Sequence, residues 1–174
     1  MNKLILVRHG KTLENKLGII QGWLDTSLSS EGIKQAEYLN SVFQKEKINH
    51  IYSSPLKRAR QTIEIITNYK NKAFINYDDR LKEINMGLYE GLHKSQVTPE
   101  QMNNPPRGED MKKIYNRTSD FIEELKEKYD NKTILIVSHN IILKTMLNHI
   151  KYGTYKPLDK NMSIKNSEII YKKI

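Results

Sequence analysis

The chain has 174 residues, of which 37% are apolar, and it carries a formal net charge of +9 at pH 7. This length suits one compact core, so we expect residues 1–174 to form a single domain. The absence of cysteine excludes disulfides and thiolate metal sites. Because the lysines are scattered among acidic residues, the charge favours attraction of small anions over binding to nucleic acid.

The N-terminal segment indicates neither a secretion signal nor a membrane anchor. Its apolar run, Leu4–Val7, meets Arg8 too early for a signal peptide, and nowhere do about 18 apolar residues follow one another. We therefore expect a cytoplasmic protein without a membrane partner. The same run is typical of a buried strand that ends in a polar loop, Arg8-His9-Gly10.

Two helices and two further strands are predicted in the next part of the chain. Ser29-Ser30-Glu31 is a helix-start signal that precedes apolar residues at helical spacing. A short strand is predicted over Ile48–Ser53. The following helix is expected to begin at Pro55, because proline suits the first helical position. Ala73–Tyr77 is typical of a third strand.

The second half of the chain begins with an irregular region, from Gly87 to Gly108, which is rich in glycine and proline. A long amphipathic helix is then predicted over Glu109–Tyr129. Thr133–Val137 follows as a strongly apolar strand, and a short helix is expected over Ile141–Ile150.

Two terminal strands are expected, around Met162–Ile164 and Glu168–Tyr171. Across the whole chain, strands alternate with helices, which is typical of a mostly parallel sheet. The sequence therefore predicts an α/β fold, a three-layer αβα sandwich with helices on both faces of the central sheet.

Polar side chains follow the ends of the predicted strands, where open α/β sheets bind their ligands. These residues are Arg8 and His9, Ser53 and Ser54 with Arg58 on the next helix, Glu83, and His139. Two histidines, two arginines and a carboxylate are thus expected at one edge of the sheet.

This set suits phosphoryl transfer. Planar guanidinium groups, such as those of Arg8 and Arg58, can each bind two phosphate oxygens. The helix expected to begin at Pro55 would add oriented N–H groups at its N-terminus. A neutral imidazole at His9 could act as the nucleophile, because nearby arginines disfavour its protonated form.

Two further roles complete the predicted reaction. Glu83 could give a proton to the leaving alkoxide and recover it from the attacking water. His139 could stabilise charge on the phosphoryl oxygens. The residues alone leave alternatives: Arg60 competes with Arg58 for the phosphate, and the other acidic residues near Glu83 compete for the proton-transfer role. These are Asp78, Asp79 and Glu90.

The sequence around His9, Arg8-His9-Gly10-Lys11-Thr12-Leu13-Glu14-Asn15, resembles the signature of the histidine phosphatase superfamily, which includes cofactor-dependent phosphoglycerate mutase. Further matches follow in the same order along the chain. They are Gln21-Gly22-Trp23-Leu24-Asp25-Thr26 with Leu28, Ser53-Ser54 with Arg58-Ala59 and Thr62, Leu81 and Glu83 with Gly87, Glu90-Gly91, Gly108-Glu109, and Ser138-His139.

The resemblance implies a role for each matching residue. It makes His9 the phosphorylated residue, assigns the phosphate pocket to Arg8, Arg58 and His139, and assigns proton transfer to Glu83. It also implies substrate contacts for Asn15 and the Gln21-Gly22 pair, and neither a metal nor an organic cofactor.

Three positions depart from the family pattern. Lys11 replaces Glu or Gln, Asn140 replaces the common Gly, and Asp110 replaces Ser. None of these changes removes a group that the mechanism needs. They bear on substrate preference, because Lys11 would add a cation beside the pocket. Asn140, directly after His139, is counted among the substrate contacts.

The expected function is hydrolysis of phosphomonoesters of small metabolites. The stretch between Glu83 and His139 is shorter than in the mutases of the superfamily, which favours hydrolysis over phosphotransfer. A mutase and a non-catalytic phospholigand-binding module are the alternatives. The substrate stays open, with α-ribazole phosphate, a phosphoglycerate and sugar phosphates as candidates, and the protein could be a monomer or a homodimer.

Overall fold

The computed structural model describes residues 1–68, 74–159 and 161–174. The strands are β1 (Lys3–Arg8), β2 (His50–Ser53), β3 (Ile75–Tyr77), β4 (Thr133–Ser138) and β5 (Ile169–Lys173). The helices are α1 (Leu13–Leu17), α2 (Ser30–Phe43), α3 (Lys57–Ile66), α4 (Pro99–Met102), α5 (Met111–Lys128) and α6 (Asn140–Tyr152). Single 3₁₀ turns occur at Asp79–Leu81, Gly87–Tyr89 and Lys94–Gln96.

The five strands form one sheet in the order β3-β2-β4-β1-β5. The first four strands of this order are parallel, and β5 runs antiparallel to β1. In the pairing of β1 with β4, Arg8 lies opposite Ser138. The chain therefore leaves both central strands at the same edge of the sheet.

Each face of the sheet is covered by helices. Alternate residues of β1 belong to different cores: Leu4 and Leu6 pack with side chains of α5 and α6, whereas Ile5 and Val7 pack with side chains of α2 and α3. This alternation follows from strand geometry, in which neighbouring side chains point to opposite faces. The structure confirms the predicted three-layer α/β architecture.

Several predicted elements differ from the structure. Helix α3 begins at Lys57, because Leu56 keeps an extended backbone as the N-cap and Pro55 lies before it. No strand forms around Met162–Ile164. Instead, the carbonyl oxygen of Ile164 accepts from Arg8, and its N–H donates to the Asn140 side chain. The prediction that β3 begins at Ala73 lies outside the described residues, and the described strand begins at Ile75.

Across the three described ranges, no helix combines the length and hydrophobicity that crossing a bilayer requires.

Candidate active site

The predicted site residues meet at the carboxyl edge of the parallel strands, around a cavity of about 190 Å³. The cavity is lined by Arg8, His9, Asn15, Ile19, Ile20, Gln21, Gly22, Arg58, Glu83, Ile84, Met86, Met102 and Asn140. Of the predicted site residues, His139 is not in this lining. It packs behind His9, with the two ring centroids 5.1 Å apart.

His9 is held in one tautomer. Its Nδ1 lies 2.7 Å from the carbonyl oxygen of Gly10. Because a carbonyl can only accept, Nδ1 carries the proton, and in the neutral ring Nε2 keeps its lone pair. Burial lowers the pKa of His9 well below its ordinary range, and the cations of Arg58 and Arg8 lower it further. The ring is therefore neutral at neutral pH.

Position 10 has no room for a side chain, so a glycine is needed there. Its N–H donates to the Thr62 hydroxyl at 3.0 Å, and Thr62 in turn donates to the carbonyl of Arg58. A Cβ at this position would come within 2.6 Å of the Gly32 carbonyl oxygen at the start of α2. A side chain would push the loop off α2, and with it the carbonyl that orients His9.

Arg58 is a buried cation with part of its donor capacity unused. One terminal nitrogen donates to the Leu24 carbonyl at 2.8 Å and the other to the Gly22 carbonyl at 2.8 Å, whereas Nε has no partner. Burial lowers its pKa to about 10, and the carboxylates of Glu83 and Asp25 oppose this shift. Arg60, the competing arginine in the sequence, is exposed and does not line the cavity.

Arg8 and His139 show the same incomplete pairing. One terminal nitrogen of Arg8 donates to the Ile164 carbonyl, and its Nε has no partner. His139 Nε2 lies 2.7 Å from the Ser54 hydroxyl, and its Nδ1 has no partner. Burial is also the main cause that lowers the pKa of His139 well below its ordinary range. Buried nitrogen atoms are normally hydrogen-bonded, so the two guanidinium Nε–H groups, and His139 in its Nδ1–H tautomer, have donors left for an acceptor-rich ligand.

Glu83 lines the cavity with its carboxylate held by backbone donors. One oxygen accepts from the N–H of Ile84 at 3.1 Å and the other from the N–H of Ile141, in the first turn of α6, at 3.5 Å. The competing acids have other roles. Glu90 accepts from the backbone N–H groups of Trp23 and Met86, and Asp78 pairs with Arg80.

The other predicted contacts also line the cavity. The side-chain oxygen of Asn15 accepts from the N–H of Thr12, and that of Gln21 accepts from the Thr12 hydroxyl. Asn140 accepts from the N–H of Ile164 at 3.2 Å. Lys11, by contrast, pairs with Glu31 at 3.1 Å and does not line the cavity.

The predicted helix N-terminus contributes less than expected. The N–H of Lys57 donates to the Asp25 carboxylate at 2.6 Å, and that of Leu56 to the Ser54 hydroxyl at 3.3 Å. These two donors are therefore engaged within the protein. The expectation that this helix start offers its N–H groups to a phosphate is wrong for both of them.

A role for Arg117 was not predicted from the sequence. It forms a two-oxygen ion pair with Glu109 and donates to the carbonyls of Arg80, Lys82 and Glu83, the last at 3.1 Å. It therefore fixes the backbone that carries Glu83. A signal existed, since Arg117 lies three residues after Ile114 on the inward stripe of α5, where a charge is unusual.

Two further residues form hydrogen bonds with the backbone of site residues. Trp23 Nε1 donates to the Glu83 carbonyl at 2.7 Å, so this residue helps to position the backbone of Glu83. The Asn166 amide donates to the carbonyl of His9 at 3.0 Å and to Asn15 at 3.2 Å. Nothing in the sequence near Asn166 indicates this contact across the fold.

A cavity with one neutral histidine in its lining, a second behind it and two incompletely paired arginines suits phosphoryl transfer. No group of three or more His, Asp or Glu side chains suited to a metal ion occurs among the residues that the structure describes. The family model for the histidine phosphatase superfamily (branch 1) matches residues 4–170. The chain therefore belongs to this superfamily, as the sequence motifs predicted. Within the superfamily, it is a phosphatase.

Individual relatives agree with this assignment. Phosphoserine phosphatase 1 of Hydrogenobacter thermophilus is 37% identical over 158 residues, which cover 84% of this chain and 74% of the relative. Phosphoglycerate mutase-like protein 4 of Arabidopsis thaliana is 32% identical over 158 residues, covering 83% and 69%. The crystal structure of phosphoserine phosphatase from Entamoeba histolytica in complex with 3-phosphoglyceric acid superposes with a TM-score of 0.80 at 28% identity, covering 98% of this chain and 90% of that chain.

Proposed function

We propose that the protein hydrolyses phosphomonoesters of small metabolites, with His9 as the residue that carries the phosphoryl group. The observation that carries this proposal is the His9 tautomer. With Nδ1–H held by the Gly10 carbonyl, Nε2 offers its lone pair beside two incompletely paired arginines. A neutral nitrogen nucleophile next to cations is what attack on a phosphate dianion requires.

Arg8, Arg58 and His139 bind the phosphoryl oxygens in this mechanism. Each has a buried nitrogen without a protein partner. A phosphate supplies several acceptor oxygens at once, and a planar guanidinium can bind two of them. Charge that develops on these oxygens during transfer is stabilised by donors already in place, which is the larger part of catalysis for this reaction class.

Glu83 moves the proton. As His9 Nε2 bonds to phosphorus, the ester P–O bond breaks and the leaving oxygen takes a proton from the Glu83 carboxylic acid. Water then gives a proton to the resulting carboxylate and attacks phosphorus, which releases inorganic phosphate and frees Nε2. The backbone donors of Ile84 and Ile141 hold the carboxylate in place for both steps.

The substrate is a small molecule in this proposal, because the cavity of about 190 Å³ is below the usual range for drug-sized ligands. Asn15, Gln21, Gly22 and Asn140 line it as contacts for the phosphate or the leaving group. Phosphoserine joins phosphoglycerate, sugar phosphates and α-ribazole phosphate as a candidate, because relatives are named phosphoserine phosphatases. We also propose that residues 1–174 act as one domain, in the cytoplasm, without metal, cofactor or nucleic acid, as monomer or homodimer.

A mutase is the second candidate, because several relatives carry a phosphoglycerate mutase name. Hydrolysis is favoured by the few elements available to close the cavity. Between Glu83 and β4, the elements other than α5 are the short helix α4 and two 3₁₀ turns, and of their residues only Met102 lines the cavity.

The test is phosphate release from p-nitrophenyl phosphate and a panel of phosphorylated metabolites, without added metal. The wild type should turn over, and His9→Ala should lose turnover together with acid-labile labelling by radioactive substrate. His50→Ala, a histidine away from the cavity, is the matched control and should keep both. Interconversion of 2- and 3-phosphoglycerate without phosphate release would support the mutase instead, and full activity of His9→Ala would refute the nucleophile.

A further inference from the structure

A second cavity, of about 630 Å³, lies between the start of α6, the start of α5 and residues 155–159. Consecutive residues connect it to the catalytic cavity: Met102 lines the catalytic cavity and Asn103 the second, and Asn140 lines the catalytic cavity and Ile141 the second. The N–H of Ile141 also donates to the Glu83 carboxylate. The proposed mechanism places the leaving oxygen at Glu83, so a leaving group that extends past Ile141 would enter the second cavity.

Lys144 brings a buried positive charge to this second cavity. Its side chain is only 7% exposed, and its Nζ donates to the backbone carbonyl of Asp159 at 2.9 Å. An ammonium group has three donors, so two remain after this contact. Within the part of the chain that the structure describes, Lys144 forms no salt bridge.

The place of Lys144 in α6 relates it to the catalytic residues. It follows Asn140 by four residues, so both lie on one face of the helix about one turn, roughly 5 Å, apart. Burial lowers the pKa of Lys144, and the carboxylates of Asp159 and Glu83 oppose that shift. Glu83 is therefore close enough to interact electrostatically with this ammonium.

The acidic side chains that line the second cavity each accept a backbone hydrogen bond, and neither forms an ion pair with Lys144 among the described residues. The carboxylate of Asp110 caps α5 by accepting from the N–H of Lys113, and that of Asp159 accepts from the N–H of Asn161. Lys112 adds a further cation to the lining. A buried charge is costly unless it is paired, and an anion brought by a ligand would supply the pairing.

We infer that Lys144 determines specificity by binding a carboxylate on the leaving group of the substrate. This inference rests on the proposed phosphatase function and selects, among its candidate substrates, the phosphomonoesters of small carboxylic acids. A single ammonium is a point charge that matches a monoanionic carboxylate. For the phosphoryl dianion the protein instead provides two guanidinium groups, so a second phosphate is the less suitable occupant.

The experiment compares substrates that differ only in the carboxylate. The pairs are 3-phosphoglycerate with glycerol 3-phosphate, and phosphoserine with phosphoethanolamine. The wild type should prefer the carboxylate-bearing member of at least one pair by about 10- to 100-fold in kcat/KM, the size of a hydrogen-bonded charge interaction. This preference should weaken in high salt.

Lys144→Met keeps the length and apolar stem of the side chain and removes the charge. It should reduce the wild-type preference to within about threefold of unity, mainly through KM, since the carboxylate does not take part in the chemistry. Lys151→Met, a change at an exposed lysine of the same helix, should keep the full preference. Turnover of p-nitrophenyl phosphate shows whether each variant retains a working catalytic site.

A wild-type ratio near one for both pairs overturns the inference, whether or not Lys144→Met folds. A preference that survives in active Lys144→Met also overturns it. If the wild type fails to hydrolyse p-nitrophenyl phosphate and every metabolite tested, the proposed function fails instead, which is a distinguishable result. Preference for a bisphosphate over its monophosphate that is lost in Lys144→Met would assign the site to a phosphate and overturn the carboxylate assignment.

Discussion

The imidazole rings of His9 and His139 lie 5.1 Å apart, centroid to centroid, with their planes inclined at 57°. Both are almost completely buried, at 2% and 0% exposure. Desolvation and the neighbouring arginines keep both rings uncharged. Two neutral histidines can therefore share one cationic pocket, one with a free lone pair and the other with an unpartnered nitrogen.

This pair predicts that stability falls with acid. Unfolded histidine binds a proton near its ordinary pKa of 6.5, whereas the folded rings do so only at lower pH. Below about pH 6.5 the unfolded state thus binds more protons, and the free energy of unfolding decreases as pH falls. The slope is at most about 1.4 kcal/mol per pH unit for each ring.

Chemical denaturation between pH 5 and 7, in buffer without phosphate, measures this slope. His139→Gln removes one titrating ring and should flatten the acid limb relative to the wild type. His93→Gln, at a histidine outside the site, is the control for the loss of a histidine side chain. Identical slopes in all three proteins would contradict the neutral state assigned to His139.

Arg58→Lys should lower kcat/KM by at least a hundredfold, because a point charge cannot replace a bidentate guanidinium. Inorganic phosphate should raise the melting temperature of the wild type and have little effect on this variant. Arg60→Lys, a change at the exposed neighbour on α3, is the matched control and should behave as wild type in both assays. Equal phosphate protection of Arg58→Lys would remove Arg58 from the phosphate pocket.

Glu83→Gln tests proton transfer through the leaving group. Alkyl phosphates, whose leaving oxygen needs a proton, should lose about 10²- to 10⁴-fold in kcat. Turnover of p-nitrophenyl phosphate should fall far less, since nitrophenolate leaves without protonation. Glu127→Gln, at an exposed position of α5, provides the control. A uniform loss for both substrate types would argue against Glu83 as the acid.

Arg117→Lys tests a positioning role. The change removes the planar contacts to the carbonyls beneath Glu83 and should cost about 2–3 kcal/mol of stability. Alkyl phosphates should be slowed more than p-nitrophenyl phosphate, in the same direction as for Glu83→Gln. In the double variant the kcat for alkyl phosphates should be close to that of Glu83→Gln alone, because both changes act on one group. Equal loss on both substrates would indicate a general structural effect.

The layers of the fold could be predicted from the sequence because the apolar runs of its strands are unbroken. Unbroken runs such as Leu4–Val7 and Thr133–Val137 predicted the two central strands, and both occur with one or two residues added at their ends. The convergence of Arg8, His9, Arg58 and Glu83 on one cavity also agrees with prediction, since strand ends of a parallel sheet share an edge.

Details that depend on long-range partners were beyond the sequence. The start of α3 is set by Asp25 and Ser54, which take the N–H groups of Lys57 and Leu56. The segment around Ile164 is not a strand because its backbone forms hydrogen bonds with the side chains of Arg8 and Asn140. Such contacts join residues that no local pattern relates, so periodicity and cap signals cannot reveal them.

The pairing of β1 with β4 places Arg8 opposite Ser138, and the N–H of His9 donates to the Ser138 carbonyl at 3.0 Å. A slip of one position would turn every side chain of the strand to the opposite layer. The catalytic edge therefore forms only when segments some 130 positions apart in the chain come into register. A nascent polypeptide whose β4 is still inside the ribosome lacks this edge, and recovered turnover after denaturation reports that the pairing has formed again.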